Sequence, residues 1–272
     1  MKICDLYNML EIPQPVVDRL NSYEKQRSIS VSQDMLNRIL NRSTWDDAIV
    51  ELGNIIGDDP DGINILWELL NIICSFSYPQ YLRRNISSKI FVDTMKFCTR
   101  FLNDHLKDIG NYGFDVAYWF PRQISLSQFR IGALEYEFVN EKNKEISLHI
   151  PSDADLSTPS VLQSLNDFYC FRDTYYPEWK GIALVCDSWM LSPTLNKLLP
   201  EGSKILTFKN MFEIEKVDKN STSFMRWIYP GFETIDENLP EKTSLQRKTK
   251  AHLLTGKNFG AAKGYLKEVY LK

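Results

Sequence analysis

FRIGALEYE (129–137), SLHIPSDADLS (147–157), CDSWMLSP (186–193) and LLPEGSKILTFKNMF (198–212) follow one another within a single stretch of 84 residues, and the periods they carry decide the fold. Leu134, Tyr136 and Phe138 alternate with Glu135 and Glu137; further on, Ile146, Leu148 and Ile150 alternate with Ser147 and His149. A period of two predicts strands over 126–139 and 144–150, joined by a tight turn at 140–143. Thr158 followed by Pro159 marks a helix start, with proline at the first helical position, and that helix runs to about residue 174. A β-rich apolar strand is expected at 182–186, a short helix at 193–199, a strand at 204–208 and an edge strand at 213–217. The stretch 222–229 fits either state, and 243–254 reads as a helix. The order is β-β-α-β-α-β.

Cross-strand partners share a face of the sheet, so apolar residues must oppose apolar residues, and a slip of one residue would put charge into the core. Only registers whose paired numbers add to an even total meet that condition. A three-residue turn at 141–143 sets Phe138 opposite Ile146 and Glu135 opposite His149. A carboxylate facing an imidazole at a strand end can orient the ring as a base. His149 and Glu135 are therefore the candidate catalytic pair, against the alternative of an ordinary surface pair.

The first half reads differently. Apolar residues recur at helical spacing, as in Met35, Leu36, Ile39 and Leu40 behind Ser32, or Trp45, Ile49, Leu52 and Ile56 behind Ser43 and ending at Gly57. Asp61 opens an apolar helix through Trp67, Leu70 and Ile73. A long helix follows Ser87 and ends at Gly110. The Gly-containing segment 111–115 precedes the change of period. The fold class expected is α+β, with an all-helical N-terminal domain over 1–113 and a mixed-sheet C-terminal domain over 114–272.

Composition narrows the function classes. The 272 residues carry a net charge of −3 with no basic block, which argues against nucleic acid as a partner. Five scattered cysteines without a paired CxxC spacing argue for a reducing compartment and against a disulfide framework or a zinc site. The apolar run at 63–76 is broken by Glu68 and Asn71 and is too short to span a bilayer, and the first ten residues lack the apolar core of a signal peptide. A cytoplasmic, non-membrane protein is expected.

With WFPRQISLSQ (119–128) upstream and LPEKTSLQR (239–247) downstream, the quoted words resemble a bacterial family of acyltransferases. Its members join a helical N-terminal domain to a C-terminal domain built like a GNAT N-acyltransferase. The resemblance implies transfer of an acyl group from acyl-CoA or acetyl-CoA to an amine on a small molecule or peptide. It also sets the hairpin at the third and fourth GNAT strands, the Thr158 helix at the cofactor helix and the 182–186 strand at the fifth strand. GNAT proteins admit the pantetheine arm through a splay between the fourth and fifth strands. That directs attention to His149-Ile150-Pro151 and to Cys186-Asp187-Ser188-Trp189. Proline at 151 has no N–H to give a ladder, which independently suits a strand end.

The resemblance places coenzyme A near Ile150, Ser152, Ser157, Thr158 and Cys186. One departure stands out. GNAT enzymes usually carry a Gly-rich turn whose backbone N–H groups cradle the pyrophosphate at a helix N-terminus. This chain has Pro151-Ser152-Asp153-Ala154-Asp155-Leu156-Ser157-Thr158 there, with two carboxylates and no glycine. The acidic loop supports an alternative in which the fold persists as a binding or regulatory module without acyl-CoA chemistry. A thiol hydrolase built on Cys186 and His149 is a third class, although a cysteine ending an apolar strand is more often an inert core residue.

Overall fold

The computed structural model describes residues 1–140 and 144–270, and its chain contacts divide it into two compact units, Met1–Ile131 and Gly132–Lys272.

The first unit is helical. Ser32 caps the helix Gln33–Ile39 by accepting a hydrogen bond from the Met35 N–H, and Ser87 does the same for Ser88–Met95 through Ile90. Gly57 ends Trp45–Ile56 at φ 84°. The apolar helix Ile63–Ile72 is opened by Asp59 rather than Asp61: the Asp59 carboxylate accepts from the Asn64 and Ile65 N–H groups, while Asp61 pairs with Arg19. Glu68 on that helix is fully buried. It is satisfied by a two-pronged bond to Arg27 at 2.8 and 2.9 Å and by the Tyr23 hydroxyl at 2.9 Å. The expected long helix after Ser87 is two, Ser88–Met95 and Phe97–Ile109, the second ending at Gly110.

The period change around residue 113 follows the helix stop at Gly110. Phe114 and Phe120 fold back against Phe97, with ring centroids 6.3 and 5.2 Å away. These aromatic contacts hold 114–124 in the helical unit, which ends with the short strand β1 (Gln128–Ile131). By chain contacts the division falls between Ile131 and Gly132. No helix among the described residues is long and apolar enough to cross a membrane.

The second unit holds β2 (Leu134–Asn140), β3 (Lys144–His149), β4 (Leu184–Ser188), β5 (Phe212–Asp218) and β6 (Ala261–Leu266), side by side in the order β2-β3-β4-β6-β5. The pair β3-β4 is parallel; β2-β3, β4-β6 and β6-β5 are antiparallel. The register of β2 and β3 is the one the alternation requires, with Phe138 opposite Ile146 and Glu135 opposite His149. The turn residues 141–143 themselves lie outside the described residues. Gly132, at φ 64°, separates β1 from β2 where a single strand was expected; a Cβ there would stand 3.2 Å from Ser164. The helix Thr158–Tyr175 covers the apolar face of the sheet, Phe168 stacking on Tyr136 at 4.0 Å and Ser164 bonding the Tyr136 hydroxyl at 2.9 Å. Behind β4, Trp189, Leu195, Phe224, Tyr229, Leu253 and Phe259 form a second apolar cluster.

Two expectations change. Residues 204–208 form part of a helix, Lys204–Lys209, because Ser203 caps it by accepting from the Leu206 N–H. Short apolar runs suit strand and helix alike, and the cap decides. The strand β6 was not foreseen.

Candidate active site

The parallel ladder between β3 and β4 holds Ile146 against Leu184 and Ser147 against Val185, and no further pair follows. Beyond that point each strand continues with its other neighbour. β3 stays paired to β2 as far as Glu135 and His149, and β4 stays paired to β6 as far as Ser188 and Ala262. Among the described residues the register between these two strands stops there, while each strand end, Leu148–Pro151 and Cys186–Ser188, runs on beside its other neighbour. Pro151 supplies no N–H to either strand.

His149 stands on the polar face of this opening. Its Nε2 lies 2.9 Å from Glu137 Oε2, with the histidine side chain 24 % exposed and the glutamate 3 %. The register places Glu135 directly opposite His149 and buried on the same face, where the diagonal carboxylate of Glu137 also lies. Strand twist and the reach of a long side chain make such diagonal contacts ordinary. Alternation alone named the face and left two carboxylates on it.

The loop 151–158 is organised around Asp155. Its carboxylate accepts from the Ser157 N–H at 3.0 Å and the Ser157 hydroxyl at 2.7 Å, and it pairs with Lys204 Nζ at 2.8 Å. Lys204 first, and Ser157 next, push this carboxyl down to about 2. Because Ser157 Oγ donates to Asp155, it does not cap the 18-residue helix Thr158–Tyr175, whose first turn has no side-chain cap. One of the two loop carboxylates is thereby turned to a cation and a turn N–H, at the mouth of an uncapped helix. Lys204 was missed because its segment reads as a strand. Ser152 and Thr158 are exposed, and Ile150 and Ser157 are half-buried.

Cys186 sits opposite Gly264 in β4-β6 and is 1 % exposed. Burial first, with the neighbouring Asp187 adding to it, pushes its thiol well above the ordinary range, so the thiolate a nucleophile needs is suppressed. Maleimide near neutral pH is expected to label the exposed Cys4 and Cys170 and to leave Cys186 and acyl-CoA binding unaffected, read by mass spectrometry and calorimetry. Loss of binding through Cys186 modification would restore the thiol reading. Among the described residues no group of His, Cys, Asp and Glu is placed to hold a metal ion.

The sheet is mixed, with one parallel pair at its middle, and a long helix covers its apolar face. Residues 128–266 match the family model described as a GNAT-like C-terminal domain, and residues 1–126 match an N-acyltransferase N-terminal domain. The chain belongs to this GNAT-like family. Among solved structures it is similar to a crystal structure of an acyltransferase in complex with decanoyl-CoA and teicoplanin, at TM-score 0.76 and 21 % identity over 97 % of this chain and 86 % of that one. A complex of an acyltransferase with CoA and 10C-teicoplanin gives TM-score 0.76 and 20 % identity over the same shares. One with decanoyl-CoA gives 0.74 and 20 % over 98 % and 87 %. At that identity the likeness is one of fold. No curated protein matches the chain.

Proposed function

We propose that this protein is an N-acyltransferase that moves an acyl group from an acyl-CoA thioester to an amine. The observation that carries this reading is the two-pair parallel ladder of β3 and β4, which opens where the pantetheine arm of a GNAT substrate would enter. The arm lies between Leu148–Pro151 and Cys186–Ser188, along the backbone of both strand ends, Cys186 contributing its main chain. The pyrophosphate lies at the start of the helix Thr158–Tyr175, where Thr158, Ser157 and Ser152 can donate and the N-terminal dipole favours negative charge. Lys204 adds a cation there.

The amine, once neutral, attacks the thioester carbonyl carbon. The C–N bond forms, the C–S bond breaks, the sulfur leaves as coenzyme A thiolate and takes up a proton, and the nitrogen loses one. His149 accepts a proton from the nitrogen, and Glu137 holds the ring through Nε2, with Glu135 on the same face as the alternative orienting carboxylate. The Ile150 and Ser152 N–H groups are the candidates to meet the oxyanion. Most of the acceleration in such chemistry comes from holding both reactants in line. The acceptor is an amine on a small molecule or peptide; the acyltransferase of similar fold is in complex with the small molecule teicoplanin.

Calorimetry with decanoyl-CoA and acetyl-CoA tests this directly. Asp155→Asn is expected to tighten binding or leave it unchanged, because Lys204 is then freed for phosphate. Ser152→Trp is expected to weaken it. No binding of either thioester by the native protein and the Asp155→Asn variant alike would favour a module that retains the fold without the chemistry.

A further inference from the structure

We infer that Asp187 is the residue that selects an ammonium-bearing acceptor, holding it opposite His149 across the gap between β3 and β4; this rests on the acyl-transfer reading of that gap. Ser147 and Val185 are paired, hence on one face. Two residues further along each parallel strand come His149 and Asp187, again on that face, at the point where the strands have separated. The two side chains therefore flank the same opening from opposite sides.

Their states differ in a useful way. His149 is engaged by Glu137. Asp187 is exposed, and its side chain makes no hydrogen bond or ion pair among the described residues. The cation best placed to neutralise it is Lys263, its partner in the β4-β6 ladder. Lys263 is drawn away: its Nζ lies 3.0 Å from Glu145 Oε2 on β3. The face next to the gap thus presents Glu135, Glu137 and Asp187 against His149, with Lys263 and Glu145 satisfying each other.

A primary amine is protonated near neutral pH and must be captured in that form before it can lose its proton. A solvent-facing carboxylate opposite the base does this. It attracts the ammonium, fixes the nitrogen at the opening, and offers nothing comparable to an alcohol or to water. Asp187 is a specificity-determining residue on this account, and the bond changes of the transfer are unaltered.

The test is calorimetry on the full chain with n-hexylamine hydrochloride and 1-hexanol, charged and uncharged probes of equal length, with and without coenzyme A. The native protein is expected to bind the amine about three- to tenfold more tightly than the alcohol, the range for an exposed charge-assisted contact. Asp187→Asn should abolish that preference, and Asp187→Glu should keep it. An unchanged preference in Asp187→Asn, or none in the native protein, would overturn the assignment. Failure of coenzyme A to bind while the amine preference persists would instead count against acylation and leave the ammonium site standing.

Discussion

His149→Ala is expected to lower amine acylation about 100- to 10,000-fold, the range general base catalysis contributes, while decanoyl-CoA affinity stays within a few-fold of the native value. The imidazole stands at the end of β3, on the polar face, with Nε2 held 2.9 Å from a buried glutamate. It is therefore positioned by an element whose register is fixed on its other side by β2. Release of free coenzyme A thiol with an excess of primary amine reads the rate, and calorimetry reads the binding. Glu137→Gln should give a smaller loss in the same direction, because the ring keeps a hydrogen-bond partner and loses the charge behind it. Activity of His149→Ala close to native would remove the imidazole from the mechanism. Catalysis would then rest on positioning alone.

The largest effect on stability is expected at Phe168. Its ring is fully buried and stacks on Tyr136 at 4.0 Å with the planes 7° apart, where the helix Thr158–Tyr175 meets the apolar face of the sheet. Phe168→Ala should cost about 3–5 kcal/mol, the lost transfer of a buried ring plus the cavity left beneath a helix that cannot fully collapse onto the strands. Denaturant titration measures it. The same variant should weaken acyl-CoA binding, since the first turn of that helix is the proposed phosphate site and its placement depends on this packing. A loss below about 1 kcal/mol, the scale of a tolerated core swap, would contradict the packing described.

Much of this was legible in the sequence because Leu134, Tyr136 and Phe138 on β2 and Ile146 and Leu148 on β3 share one face. That alternation, with a three-residue turn, set Glu135 opposite His149. Glu135 and Glu137 share the other face, and which one meets the ring depends on twist and side-chain reach, neither of which alternation records. β6 was hidden for another reason. AAKGYL has small residues and a glycine where strands are usually β-branched or aromatic. It forms a strand because β4 and β5 flank it on both sides, and the close approach needs the missing side chain: a Cβ on Gly264 would stand 2.9 Å from the Glu213 carbonyl oxygen. Tertiary fit overrode local propensity.

The loop 151–158 carries the sharpest lesson. Two carboxylates and no glycine argued against a phosphate site. Asp155 is turned toward Lys204 and Ser157, and the cation responsible lies 49 residues away on a segment whose composition suggested a strand. A charge read along the chain is not the charge at the site.

The measurement that bears most directly on the central claim is a crystal structure with decanoyl-CoA bound. The pantetheine arm should lie between Leu148–Pro151 and Cys186–Ser188, the pyrophosphate at the start of the helix Thr158–Tyr175, and the thioester carbonyl within reach of His149. Decanoyl-CoA bound elsewhere, or a gap between β3 and β4 closed by the protein's own side chains, would contradict it.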